Sequence, residues 1–330
     1  MARILYFIVL SSLLILGVAG RAGVNYGLLG DNLPPPSNVV SLLQSKKIPR
    51  IRIFGPDHTV LNALRGSGIK VVLGASNTDI TRLGSDLSFA QDWVRTNVAP
   101  YAENVRYVVA GNELIPGQQA ETVLPAMKNL NSALKAANLA IPVSTAVSTK
   151  VLGKTYPPSA GEFEQSVSSV MRSITSFLAE NSSPLLVNVY PYFSYIENKA
   201  AINLDYALFK SEQVVVQDGN HGYKNLFDAI LDAAYSALEK MGGNNIGIVV
   251  SESGWPSAGN GDIATIENAQ TYNNNLIKHV SGNLGTPKRP VGIEAYIFAM
   301  FNENKKDAGI EQNFGLFYPD MKEVYPVNFP

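Results

Sequence analysis

Apolar residues along the 330-residue chain fall into two alternating patterns. Eight short runs read as strands: AGVNYG (22–27), RIRIFG (50–55), IKVVLGA (69–75), VRYVVAG (105–111), IPVSTAV (141–147), PLLVNVYPY (184–192), NIGIVVSE (245–252) and VGIEAYIFAMFNE (291–303). Several are nearly continuous in Val, Ile and Leu, as suits parallel strands covered on both faces. Between them lie segments with helical periodicity at 37–47, 58–68, 89–101, 122–138, 166–181, 225–242 and 267–280. Leu226, Ile230, Ala233, Ala237 and Met241 form the apolar stripe of one of them. Eight strands alternating with helices predict an α/β fold, a single (β/α)8 TIM barrel, with a doubly wound sheet as the structural rival. The stretch from Phe193 to Lys224, after the sixth strand, has no clear period and is long for a connector. Excursions of that length are often functional, which places it beside the active face.

Ahead of the first strand, residues 1–20 (MARILYFIVLSSLLILGVAG) carry one Arg, a low-polarity run from Ile4 to Leu16, and small residues at 18–20. This is the pattern of a secretory signal peptide, and the run is short of the ~20 residues that span a bilayer. Cleavage near Gly20 leaves residues 21–330 as the working domain, with 25 basic against 27 acidic side chains once Arg3 is removed. So even a balance argues against a partner recognised through its phosphates. The abundance of Tyr and Phe leans instead towards a neutral, hydroxyl-rich ligand. There is no cysteine, so thiol catalysis, cysteine-ligated zinc and iron–sulfur sites are excluded, and stability must come from the core. Asn181-Ser182-Ser183 is the one glycosylation sequon.

Barrel enzymes carry their chemistry at the C-terminal ends of the strands. Two apolar runs end there in a carboxylate, VVAG-Asn112-Glu113 and IVVS-Glu252-Ser253-Gly254-Trp255-Pro256. A Glu just past a buried run sits in a costly place unless something there uses it. Paired carboxylates are the equipment of glycoside hydrolysis: one is protonated to donate to the leaving oxygen, the other ionised to attack the anomeric carbon or activate water. Asn112 could hydrogen-bond a sugar hydroxyl, and Trp255 and the aromatics of Tyr190-Pro191-Tyr192-Phe193 offer faces for a pyranose ring. His58, His221 and His279 have no ligand spacing. Gly259–Ala264 matches G-x-G-x-x-A but does not directly follow a strand and lacks the acid expected about 20 residues on.

The segment IVVSESGWPS (248–257) resembles the signature of glycoside hydrolase family 17, the plant β-1,3-glucanases. GVNYG (23–27), ALRGSGI (63–69), VAGNE (109–113), LPAMKNLNSAL (124–134), NVYPYFSY (188–195), YIFAMFNEN (296–304) and FGLFYPD (314–320) resemble family segments in the same order. The resemblance implies a (β/α)8 barrel and a retaining attack on internal β-1,3-glucosidic bonds of callose or fungal wall glucan, in defence or wall remodelling. It places the general acid/base at Glu113 and the nucleophile at Glu252. Supporting or substrate-binding roles fall on Tyr26, Asn112, Tyr190, Trp255, Glu303, Lys306, Glu311 and Phe314. One departure lies after the second strand, where the family usually has Tyr and a polar residue. Here Phe54-Gly55 keeps a stacking face but loses the hydroxyl and a side chain.

The expectation is therefore a secreted, monomeric, stand-alone catalytic domain acting on β-1,3-glucan, located in the extracellular space or cell wall rather than the vacuole. Neither metal nor organic cofactor is expected, nor nucleic acid, nor membrane once the signal is removed. A mixed-linkage β-1,3-1,4-glucanase, a transglycosylase using the same covalent intermediate, and a glucan-binding wall protein without turnover are the rival readings.

Overall fold

The structure, a computed structural model, describes residues 22–330, so the signal peptide expected over residues 1–20 lies outside the described residues. Among the described residues, eight parallel strands close into a barrel: β1 (Ala22–Asn25), β2 (Arg50–Ile53), β3 (Lys70–Ala75), β4 (Val105–Asn112), β5 (Val143–Ser148), β6 (Leu185–Asn188), β7 (Ile248–Ser253) and β8 (Glu294–Ile297). Neighbours in the barrel are neighbours in the chain, and β8 closes on β1 through Ala22–Ala295 and Val24–Ile297. Closure decides against the doubly wound sheet. All eight expected strands are present. The eighth is shorter than its apolar run, because Ala299–Asn302 turns to bond with Phe314–Phe317 and keeps a single link to the barrel, Met300 N–H to Asn25 O at 2.8 Å.

Helices α1 (Pro36–Ser45), α2 (His58–Leu64), α3 (Ile80–Ser85), α4 (Leu87–Asn97), α5 (Ala120–Ala136), α6 (Ser168–Glu180), α7 (Pro191–Glu197), α8 (Leu204–Ala207), α9 (Leu226–Lys240) and α10 (Ile266–Ser281) accompany the strands. Side chains of Asp57, Asp86, Asn225 and Thr265 accept backbone N–H groups at the starts of α2, α4, α9 and α10, which fixes where those helices begin. The short α3, α7 and α8 have too few turns to show a period in the sequence. The excursion after β6 holds α7, α8 and an antiparallel pair, Val216–Asp218 with His221–Tyr223. Its first turn reaches the barrel mouth through Phe193, whose ring meets Tyr190. Farther on it packs outside the barrel, with Phe209 against Phe227 of α9 and Tyr272 and His279 of α10. Asn181 lies at the end of α6, where its Nδ2 donates to Phe177 O at 2.8 Å.

The barrel interior is layered. Val72, Val109, Ala146, Leu186, Val249 and Tyr296 fill the middle as an apolar cluster separate from the larger core between strands and helices. Gly23 makes room for the Tyr296 ring, which a Cβ there would meet at 2.7 Å. Beneath this layer Glu294 receives two bonds from Arg106, at 2.7 and 2.6 Å, and one from Tyr296 at 2.8 Å, with Arg50 at 3.5 Å. Above it Asn25, Arg52, Asn188 and Glu252 form a polar layer at the C-terminal mouth, all buried. The sequence RIRI of β2 thus sends Arg50 to the lower polar layer and Arg52 to the upper one, while Ile51 and Ile53 join the outer core. Replacing Glu294 by Ala would leave Arg50 and Arg106 without their anion. A loss of about 3 kcal/mol or more is expected, measured as a lower denaturation midpoint.

Candidate active site

Both glutamates sit where their strands depart from regular pairing. In β4 the register against β5 shifts between Val109 and Asn112, and in β7 the register against β6 shifts between Val250 and Glu252. Such irregularities turn the last side chains of a strand away from simple alternation. At β4 the turn continues into the left-handed region, with φ of 74° at Gly111 and 55° at Glu113. For a residue with a Cβ this costs on the order of 1–2 kcal/mol, and it persists only where the surroundings hold it. The result is an exposed Glu113 at the mouth, facing a Glu252 that is only 6% exposed.

Arg52, 1% exposed, organises the mouth. Its Nη1 donates to Glu252 Oε1 at 2.8 Å, to Ser251 O at 3.1 Å and to Asn188 Oδ1 at 3.3 Å, while Nη2 donates to Asn112 Oδ1 at 2.7 Å. Tyr190 donates to the second carboxylate oxygen, Glu252 Oε2, at 2.8 Å. Asn188 Nδ2 reaches across, donating to Glu113 Oε1 at 2.7 Å and to Asn112 Oδ1 at 3.2 Å. Asn25 Nδ2 holds Ser251 O at 2.9 Å, and Ser251 Oγ holds Asn188 Oδ1 at 2.6 Å. One guanidinium and one carboxamide therefore connect the two carboxylates.

Burial pushes the Glu252 carboxyl above the usual range, opposed by the Arg52 charge, raised further by Glu113, and opposed again by the Tyr190 hydroxyl and the Lys306 charge. Tyr190 is itself held well above its ordinary value by burial and by the neighbouring Glu252, so it keeps its proton and remains a donor. Lys306 is held by Glu303, with Nζ 3.3 Å from Oε2 and 4.1 Å from the Phe298 ring centroid. Glu303 is 2% exposed and also accepts Leu29 N–H at 2.8 Å, tying the loop after β1 to the loop after β8. Gly27 permits this contact, since a Cβ there would fall within 2.3 Å of the carboxylate.

Of the residues read from the sequence, Asn112, Glu113, Tyr190, Glu252, Glu303 and Lys306 lie in this connected set. Phe54 joins it, half-buried, with the Arg52 guanidinium 4.6 Å from its ring centroid. The hydroxyl missing here leaves a cation–π contact in place. Gly55 leaves room for Ser76, whose Oγ a Cβ would meet at 2.6 Å.

Three aromatics for which supporting or substrate-binding roles are expected are buried. Trp255 is 0% exposed, packed on Tyr192, Tyr195 and Tyr272, with Nε1 donating to Ile263 O at 2.8 Å, so it has no face for a pyranose. Phe314 is buried against Tyr190, Tyr192 and Phe298 and backs the half-buried Tyr190. Tyr26 is buried edge-on to Phe301, and burial, helped by Asp57, pushes its hydroxyl up to about 12. Of the three, Phe314 touches a site residue directly, through Tyr190. Glu311 lies farther out, on the turn Ile310–Asn313, and its charge acts on the Tyr192 hydroxyl. The faces presented at the mouth belong to Phe54, Tyr190 and Phe193, each half-buried.

Arg52, Asn188, Asn25 and Ser251 were not singled out from the sequence. Their signal was there: charged residues at alternate positions in RIRI, and single Asn residues inside the apolar runs AGVNYG and PLLVNVY.

The family model for glycosyl hydrolases family 17 matches residues 22–329. The chain belongs to that family. It is 52% identical over 335 residues to a glucan endo-1,3-beta-glucosidase of Vitis vinifera, covering 99% of this chain and 96% of that one. Among solved structures it is similar to CJP38, a beta-1,3-glucanase and allergen of Cryptomeria japonica pollen, at 49% identity and a TM-score of 0.91, covering 94% of this chain and 99% of that one. It is also similar, at 48% identity and a TM-score of 0.90 over 93% of this chain and 100% of the other, to a protein from work on two plant beta-glucan endohydrolases with distinct substrate specificities.

With Arg52 replaced by Leu, the cation bonded to Glu252 is gone while its burial remains. The Glu252 carboxyl is then expected to titrate higher by at least about one pH unit, which a carbon-13 NMR titration of labelled glutamate would follow.

Proposed function

We propose that the protein is a retaining endo-acting hydrolase that cleaves internal β-1,3-glucosidic bonds of β-glucan. The observation that carries the mechanism is the contrast between the two carboxyls: Glu252 is buried and bonded to Arg52 and Tyr190, while Glu113 is exposed and bonded through one oxygen to Asn188. The guanidinium and the phenol oppose the burial that raises the Glu252 carboxyl and fix both of its oxygens, which suits it, when ionised, to attack the anomeric carbon. The carboxyl at the open mouth is suited to exchange protons with the leaving group and with water. Because Asn188 donates to Glu113 Oε1, the transferable proton belongs on Oε2.

In the first step Glu252 bonds to the anomeric carbon as Glu113 gives its proton to the departing glucosyl oxygen. In the second, Glu113 takes a proton from water, which attacks the same carbon and releases Glu252. The Asn112 side chain, whose Oδ1 is occupied by Arg52, keeps its amide N–H groups for a sugar hydroxyl. Phe54, Tyr190 and Phe193 supply the stacking faces. The β-1,3 linkage follows from the names of the Vitis vinifera and Cryptomeria japonica relatives. The leader-like residues 1–20 support secretion of a domain comprising 21–330, which meets callose or fungal wall glucan outside the cell as a monomer.

The test is product analysis by residues 21–330 on a linear β-1,3-glucan and on a mixed-linkage β-1,3-1,4-glucan. Oligosaccharides are expected from the first, with the β-anomer as the initial product by proton NMR. Glu252→Gln should lower turnover at least about 10³-fold. Products from the mixed-linkage polymer alone would move the substrate and keep the mechanism. An initial α-anomer would overturn retention, and bound glucan without products would overturn turnover.

A further inference from the structure

β3 stops pairing with β4 at Ala75–Ala110, two residues short of Asn112. Beyond that point the end of β4 has a backbone neighbour on one side only, where Glu113 N–H donates to Ala146 O at 2.9 Å. On the other side a single side chain takes the place of a strand. Asn77 Oδ1 accepts from Asn112 N–H at 2.7 Å, and Asn77 Nδ2 donates to Asn112 O at 3.0 Å. A carboxamide carries the same donor and acceptor as a peptide group, so Asn77 continues the ladder past the end of β3. Its own place is set by Gln119, whose Nε2 donates to Asn77 O at 3.4 Å and to Thr81 Oγ1 at 3.1 Å. The clamped residue lies between Gly111 and Glu113, the two left-handed positions that turn the chain at the mouth.

We propose that Asn77 is a positioning residue for proton transfer: by gripping both backbone groups of Asn112 it holds the left-handed turn that aims the Glu113 carboxyl. This rests on the reading of Glu113 as the acid. The grip acts directly on the backbone that carries Glu113, whereas Glu252 hangs from β7 on bonds from Arg52 and Tyr190 and meets Asn112 only through the Arg52 Nη2 bond to Asn112 Oδ1. Only a residue with a donor and an acceptor on a stem of this length can do it. Aspartate would keep the bond to Asn112 N–H but set a negative oxygen against Asn112 O, and alanine would lose both bonds.

The test separates proton donation from nucleophilic attack by the leaving group. In Asn77→Ala, kcat/KM on linear β-1,3-glucan is expected to fall about 10- to 100-fold. On 2,4-dinitrophenyl β-laminaribioside, whose leaving group departs without a proton, it should stay within about threefold of the wild type. Asn77→Asp, which keeps the shape of the side chain, should show the same split and serves if the alanine variant does not fold. Equal losses on both substrates, or no loss on either, would overturn the proposal. Glu113→Ala is the control and should show the larger split. If it shows none, the acid assignment fails and the proposal with it. If it shows the split and both Asn77 variants do not, Asn77 alone is misassigned.

Discussion

Most of the barrel mouth depends on one ion pair removed from water. Arg52 and Glu252 meet at 2.8 Å with side chains only 2% and 8% exposed. A carboxylate in such a place is tolerated when its partner is fixed and its second oxygen is also bonded, and breaking one half leaves an uncompensated charge. Tyr190 satisfies the second oxygen, and Asn188, Ser251 and Asn112 accept further bonds from the two guanidinium Nη groups. The polar layer is therefore interlocked, because moving any one of these groups strips a bond from a buried charge. The apolar layer of Val72, Val109, Ala146, Leu186, Val249 and Tyr296 beneath it keeps the environment dry. Dryness is what gives these few bonds their strength.

The second constraint is geometric. A regular strand alternates its side chains, so a carboxyl one residue past the end of a strand has no reason to face another carboxyl across the barrel. β4 and β7 solve this with irregular register at their last residues, and β4 adds two left-handed residues. Rigid surroundings offset the strain at Glu113, with Ala146 on one side and Asn77 on the other. The exposed carboxyl is thus carried on a clamped backbone with one side-chain bond, from Asn188, and the buried one is held by Arg52 and Tyr190. That division leaves one group open to proton exchange with the groove while the other is held in fixed position among its donors.

The aromatic residues form two tiers. Trp255, Tyr192 and Phe314 are buried and pack edge-on, and they fix the loops after β6, β7 and β8 relative to one another. Phe54, Tyr190 and Phe193 lie above them and present surface to the groove. Composition alone cannot divide aromatic rings into those that bind sugar and those that hold the binders, since both tiers use the same residue types. Burial divides them, and burial is a property of the folded chain.

The sequence by itself determined the strand count, the alternation with helices, and the two strand-end glutamates, because each of these is a local pattern: an apolar run, a helical period, a carboxylate where a run stops. The SESGWP and GNE segments could be read for the same reason. Only the tertiary structure decided which polar residues from distant strands share the mouth. Arg52, Asn188 and Asn77 come from β2, β6 and the loop after β3, and nothing within any one segment says that they meet. Closure of the barrel brings them together, and the register shifts at the ends of β4 and β7 turn the two glutamates towards them. Those shifts are local irregularities of pairing between strands distant in the chain, and an apolar run does not mark where they fall.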